Sequence, residues 1–75
     1  MSKKVDVVLT ALQDRVRIMQ AIMSVSSMGL KESKIIADNP PAVVVHCTSE
    51  KMALTTKKIL EDAGSTVEIR EAENC

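Results

Sequence analysis

The chain of 75 residues contains no Phe, Tyr or Trp. Single-stranded nucleic acid is usually held on aromatic platforms, and this composition supplies none. Net charge is missing too, since 10 Lys and Arg balance 10 Asp and Glu beside one His. Duplex binding calls for a basic excess, so no direct nucleic-acid contact is expected. The longest unbroken apolar stretch is Ala42–Val45, against about 20 residues needed to cross a bilayer. No apolar signal-peptide segment follows Met1–Lys4, so the expected setting is cytoplasmic and away from membranes. Two cysteines, Cys47 and Cys75, make neither a metal quartet nor a Cys-x-x-Cys motif. One bridge is conceivable, but a cytoplasmic chain normally keeps both thiols reduced. No cofactor or metal is expected.

What is present suits one small globular domain over residues 1–75. Hydrophobic residues make up 45% and charged residues 27%, which argues against disorder. A chain this short buries only about 60% of its unfolded surface, so the core must be efficient.

Val5–Thr10 is rich in β-branched residues and predicts a first strand, over about 4–10. The pattern then turns helical over about 13–28, and Gly29 interrupts it. A second helix follows over about 30–38. It ends at Asn39-Pro40-Pro41, because Pro cannot continue a helix and biases its predecessor away from one. Ala42–Cys47 predicts a second strand. Thr48 or Ser49 can cap a third helix over about 50–63, which stops at Gly64. Alternation over Thr66–Arg70 predicts the last strand, and Glu71–Cys75 reads as a polar tail. The order β-α-α-β-α-β predicts an α+β fold, a two-layer sandwich of three helices on a three-stranded sheet.

The first helix has more apolar surface than one core face requires. At about 100° per residue, Ile18, Ala21, Ile22, Val25 and Met28 share one sector. Val16, Met19 and Met23 cluster nearly opposite, rimmed by Arg15, Gln20 and Ser27. Either the second helix or a dimer mate covers this stripe, or it meets another protein. Methionines suit the latter, because flexible thioethers adapt to a partner's shape. Lys31 and Lys34, neighbours at i, i+3, can edge the stripe and steer an acidic partner. On the third helix, Met52, Ile59, Leu60 and Ala63 form the apparent core stripe, with Leu54 pointing away.

Three segments carry a family resemblance: Asp6–Thr10, Met28-Gly29-Leu30-Lys31-Glu32-Ser33-Lys34, and Lys57–Ile69 with its Glu61-Asp62-Ala63-Gly64 turn. Together, at their spacing, they resemble the C-terminal domain of the bacterial ribosomal stalk protein, over about residues 5 to 70. The resemblance implies the same β-α-α-β-α-β sandwich. It also implies a factor-binding role, since in that family the domain recruits translational GTPases such as elongation factors Tu and G. The family's contact surface, laid on this chain, falls on Arg15, Val16, Met19, Gln20, Met23, Gly29, Leu30, Lys31 and Lys34.

The chain departs from the family in three places. Gln20 and Met23 stand where the family has a basic pair, which weakens electrostatic steering and makes the face greasier. Met1 lies immediately before the first strand, so the family's N-terminal dimerisation segment and hinge are expected to be missing. Val45, His46 and Cys47 replace a basic-acidic-glycine turn, and the added apolar character invites pairing along that edge. His46 and Cys47 are neighbours on a strand and are expected to face opposite ways, one to the core and one to solvent. The thiol is accordingly read as inert. Nothing marks a general acid–base pair, a nucleophile with its base, or a phosphate loop.

The leading expectation is a non-catalytic protein-binding module that engages translational GTPases through its first two helices. The runner-up is a repurposed domain outside the ribosome, self-associating as a homodimer or scaffold through Val16, Met19 and Met23 or through the second strand. The adaptor that delivers substrates to the Clp protease shares the sandwich, but its pocket signature is not found here, and it ranks last.

Overall fold

A computed structural model describes residues 4–73 of the chain. Six elements follow in order: β1 (Lys4–Leu12), α1 (Arg15–Val25), α2 (Leu30–Asp38), β2 (Ala42–Ser49), α3 (Glu50–Asp62) and β3 (Ser65–Glu71). This is the expected α+β sandwich. The last residues of the polar tail, Cys75 among them, lie outside the described residues.

The sheet is antiparallel with strand order β2-β1-β3, so β1 is central and β2 and β3 are edges. β1 runs on to Leu12 because Ala11 and Leu12 pair with Thr66 and Ser65 of β3. Alternation sends Val7 and Leu9 of β1 and Val67 of β3 to the helix layer, and Val44 of β2, whose register against β1 is irregular, is buried with them. They join Ile18, Ala21, Ile22, Ala37, Ala53 and Leu60 in one buried cluster.

α1 is shorter at both ends than periodicity predicts. Asp14 caps its N-terminus, its carboxylate accepting from the Arg17 N–H at 3.2 Å. Ser26 closes the other end by donating both its hydroxyl, at 2.7 Å, and its N–H, at 3.0 Å, to the Ile22 carbonyl. A serine hydroxyl that takes a backbone acceptor in this way competes with further helix. Met28 therefore lies beyond the helix, yet it and Val25 still pack against the core. Ser49 caps α3 by accepting from the Met52 N–H at 3.2 Å. After α3 the chain turns through Gly64 at φ +89°, a conformation that glycine adopts without steric penalty.

The core face of α3 differs from the expected stripe. Ala53, Thr56 and Leu60 are buried, whereas Met52 is 56% and Ile59 39% exposed. The buried sector lies about 50° round the helix from the predicted one, at about 100° per residue. Close approach of α3 to the sheet favours the short side chains Ala53 and Thr56 there, leaving the bulkier Met52 outside. Leu54 is exposed, as expected. Leu60→Ala is predicted to cost about 2–5 kcal/mol, and Met52→Ala about 0.5 kcal/mol or less. Urea unfolding of the two variants checks this, and equal losses would contradict the assigned face.

Candidate functional site

α1 and α2 form an antiparallel pair on the sheet, joined by the short segment 26–29. Arg15 at the start of α1 reaches Asp38 at the end of α2. Its Nε lies 2.7 Å from Oδ1 and its Nη2 3.0 Å from Oδ2. This two-point pair sets the helices side by side at one end. At the other end the segment 26–29 joins the two helices. Val16 and Leu30 are each 62% exposed and Met23 is 41% exposed. Ile35, also exposed, adds apolar surface on α2 that periodicity left unremarked. Ile35 lies about 160° round α2 from buried Ser33 and Ala37, whereas Leu30 is exposed at the first residue of the helix.

The nine expected site residues divide on this surface. Val16, Gln20, Met23, Gly29, Leu30, Lys31 and Lys34 are exposed on the helix pair. Met19 is half-buried and packs against the core, so it lies at the border of the face and contributes to both. Arg15 is exposed but already engaged with Asp38, which makes it a clamp between the helices. Lys31 and Lys34 make no ion pair among the described residues. Their ammonium groups remain available to an acidic surface. Beneath the pair, the Ser33 hydroxyl is fully buried with no hydrogen-bond partner among the described residues.

A second cluster sits on the face of the sheet turned away from the helices. β2 gains an extra residue against β1 between Thr48 and Val45, which pair with Val5 and Val7. Two residues of β2, His46 and Cys47, thus oppose the single Asp6, the arrangement of a β-bulge. Cys47 takes φ +56°, a left-handed conformation costing roughly 1–2 kcal/mol for a residue with a β-carbon. The glycine that the family resemblance places here would adopt it freely.

The bulge overturns the expectation that His46 and Cys47 face opposite ways. His46 Nδ1 lies 2.7 Å from Asp6 Oδ1, and His46 Nε2 lies 3.1 Å from Cys47 Sγ. The Cys47 N–H donates to the same Asp6 oxygen at 3.0 Å. That backbone N–H is the main influence drawing the Asp6 carboxyl below its ordinary value. Desolvation opposes it, and the His46 side chain adds to the lowering. Cys47 is disulfide-bonded, contrary to the expectation of reduced thiols. A metal would need its sulfur as thiolate, so in this state the cluster is not a metal centre. A depression of about 260 Å³ beside the Gly64 turn has Glu61 as the one ionisable group lining it, which offers no pair for acid–base work.

A carboxyl with a depressed folded-state value contributes stability above the unfolded value, lost as pH falls through the folded one. Asp6→Asn is therefore predicted to be less stable than wild type at about pH 7, with the difference closing below about pH 4. Urea midpoints across this range check it, and a pH-independent difference would contradict it.

Residues 5–70 match the family described as Ribosomal protein L7/L12 C-terminal domain. The chain is 42% identical over 66 residues to "Large ribosomal subunit protein bL12" of Marinomonas sp. (strain MWYL1). Proteins of that name from Baumannia cicadellinicola and Shewanella frigidimarina are 41% and 39% identical over 66 residues. Each alignment covers 87% of this chain and 54% of the relative, so the chain spans about half their length. With the sandwich, the helix pair and the Gly64 turn all in place over the matched residues, this chain belongs to the ribosomal protein L7/L12 C-terminal domain family.

Proposed function

We propose that this domain is a non-catalytic, cytoplasmic protein-binding module of the ribosomal stalk type, which docks translational GTPases on the α1/α2 pair. One observation carries the reading. Val16, Met23 and Leu30 are exposed on the same helix pair as Lys31 and Lys34, while Ile18, Ala21, Ile22 and Ala37 are turned into the core. An apolar centre with a cationic edge fits a partner whose docking site is greasy and acid-rimmed. The family relationship supports the class of partner, since the matched relatives are named as large-subunit ribosomal proteins. Gln20 and Met23, where the family has a basic pair, shift the balance from charge steering toward apolar contact. Lys31 and Lys34 then supply most of the long-range attraction.

Binding to elongation factor G, measured by calorimetry across a salt series, tests this assignment. Met23→Asp is expected to weaken binding by about tenfold or more, because it puts a charge into the centre of the contact. Lys34→Glu is expected to weaken it about three- to tenfold at low salt, with the difference shrinking as the Debye length falls. Unchanged affinity in both variants would exclude this face. If sedimentation of wild type alone gave a dimer that Met23→Asp dissolves, the face would instead serve a second copy of the chain.

A further inference from the structure

The Asp6–His46–Cys47 cluster has no part in docking on α1 and α2, and it lies on the opposite face of the sheet from the helices. Its order matters. The Asp6 carboxylate can only accept, so the bond at 2.7 Å places the ring hydrogen on His46 Nδ1. In the neutral ring Nε2 is then left with its lone pair, 3.1 Å from Cys47 Sγ. Asp6 is itself fixed by the Cys47 N–H, so the carboxylate, the ring and the sulfur are held by one bulge. The Asp6 side chain is 17% exposed and that of His46 is 60% exposed, so a small molecule in solvent can approach the ring. Among the described residues, the strand charges on this face besides these are Lys4, two residues along β1, and Arg70, opposite Asp6 on β3 and paired with Glu68 at 2.8 Å.

We propose that Asp6, His46 and Cys47 form a thiol–disulfide exchange site, with small thiols and their disulfides as co-reactants. In the reducing direction a thiolate attacks the sulfur to which Cys47 is bonded. A new S–S bond forms there, the bond to Cys47 Sγ breaks, and its electron pair leaves on Cys47. His46, protonated at Nε2 and held by Asp6, donates a hydrogen bond to that departing thiolate and stabilises it. A second small thiol resolves the mixed disulfide. Overall, two small thiols are oxidised to one disulfide while one protein disulfide is reduced to two thiols. In the return direction His46 Nε2 takes the proton from Cys47, whose thiolate attacks a small disulfide and expels one small thiolate. The second protein thiolate then attacks Cys47 Sγ and expels the other, restoring the protein disulfide. A better leaving thiol departs faster, and a thiol with more thiolate at ambient pH attacks more readily. The left-handed backbone at Cys47 puts its sulfur within reach of its neighbour's ring, which an ordinary strand would prevent.

The test reduces the full chain with a phosphine and follows iodoacetamide alkylation of Cys47 against pH by peptide mass. A rate midpoint about one pH unit or more below the ordinary cysteine value of about 8.5 is expected. His46→Asn should move it back toward that value, with Asp6→Asn in between. In the oxidised chain, reduction by glutathione at about pH 7 should slow about threefold or more in His46→Asn. Far-ultraviolet circular dichroism checks that this exposed substitution leaves the fold intact. A midpoint near about 8.5 in wild type and in His46→Asn alike would overturn the proposal. So would equal reduction rates in the two proteins.

Discussion

Three helices share one face of a three-stranded sheet, and with no aromatic side chain available the space between the layers is filled mainly by Val, Ile, Leu and Ala, with Met19 and Met28 packed at its margin. Most features of the molecule follow from that restriction. Aliphatic side chains of modest size fill a gap densely only when the elements approach closely. Small residues accordingly take central places, with Ala21 on α1, Ala37 on α2 and Ala53 on α3. The same closeness buries Thr56 and the unpartnered Ser33 hydroxyl. Each helix has one sector to give to such a core, so apolar residues outside that sector are left on the surface. On α1 and α2 these are Val16, Met23 and Ile35, with Leu30 exposed at the first residue of α2, and on α3 they are Met52, Leu54 and Ile59.

The strands and helices were legible because their signals are local. β-branched runs mark β1 and β2, Pro40 and Pro41 close α2, and Gly64 marks the turn into β3. The errors arise where side-chain size or a distant partner decides. Hydrophobicity alone chose Met52 and Ile59 for the core of α3, whereas a close sheet selects Ala53 and Thr56. Ser26 looked like one more helical residue until its hydroxyl took the Ile22 carbonyl. Arg15 stood at the rim of the α1 stripe, and its pair with Asp38 spans two helices.

The His46–Cys47 pair is the most instructive miss. Strict alternation along a strand separates neighbouring side chains, and the argument fails only because a bulge opposite Asp6 breaks the alternation. Residue type at position 47 offered no warning, since a left-handed position is ordinarily announced by glycine. The family's glycine at this turn was the available clue, read at first as a change in polarity and now explained by backbone conformation. The nine expected binding residues came from the resemblance, and among them partial burial sets Met19 apart while the ion pair to Asp38 sets Arg15 apart.

The helix pair and the bulge occupy opposite faces of the domain, so docking and sulfur chemistry need not interfere. The central claim is that α1 and α2 present the docking face. A nuclear magnetic resonance titration of isotope-labelled domain with elongation factor G tests it most directly. The account predicts shifts concentrated at Val16, Met23, Leu30, Lys31 and Lys34. Shifts confined to α3 or the β2 edge, or none at high micromolar factor, would contradict it.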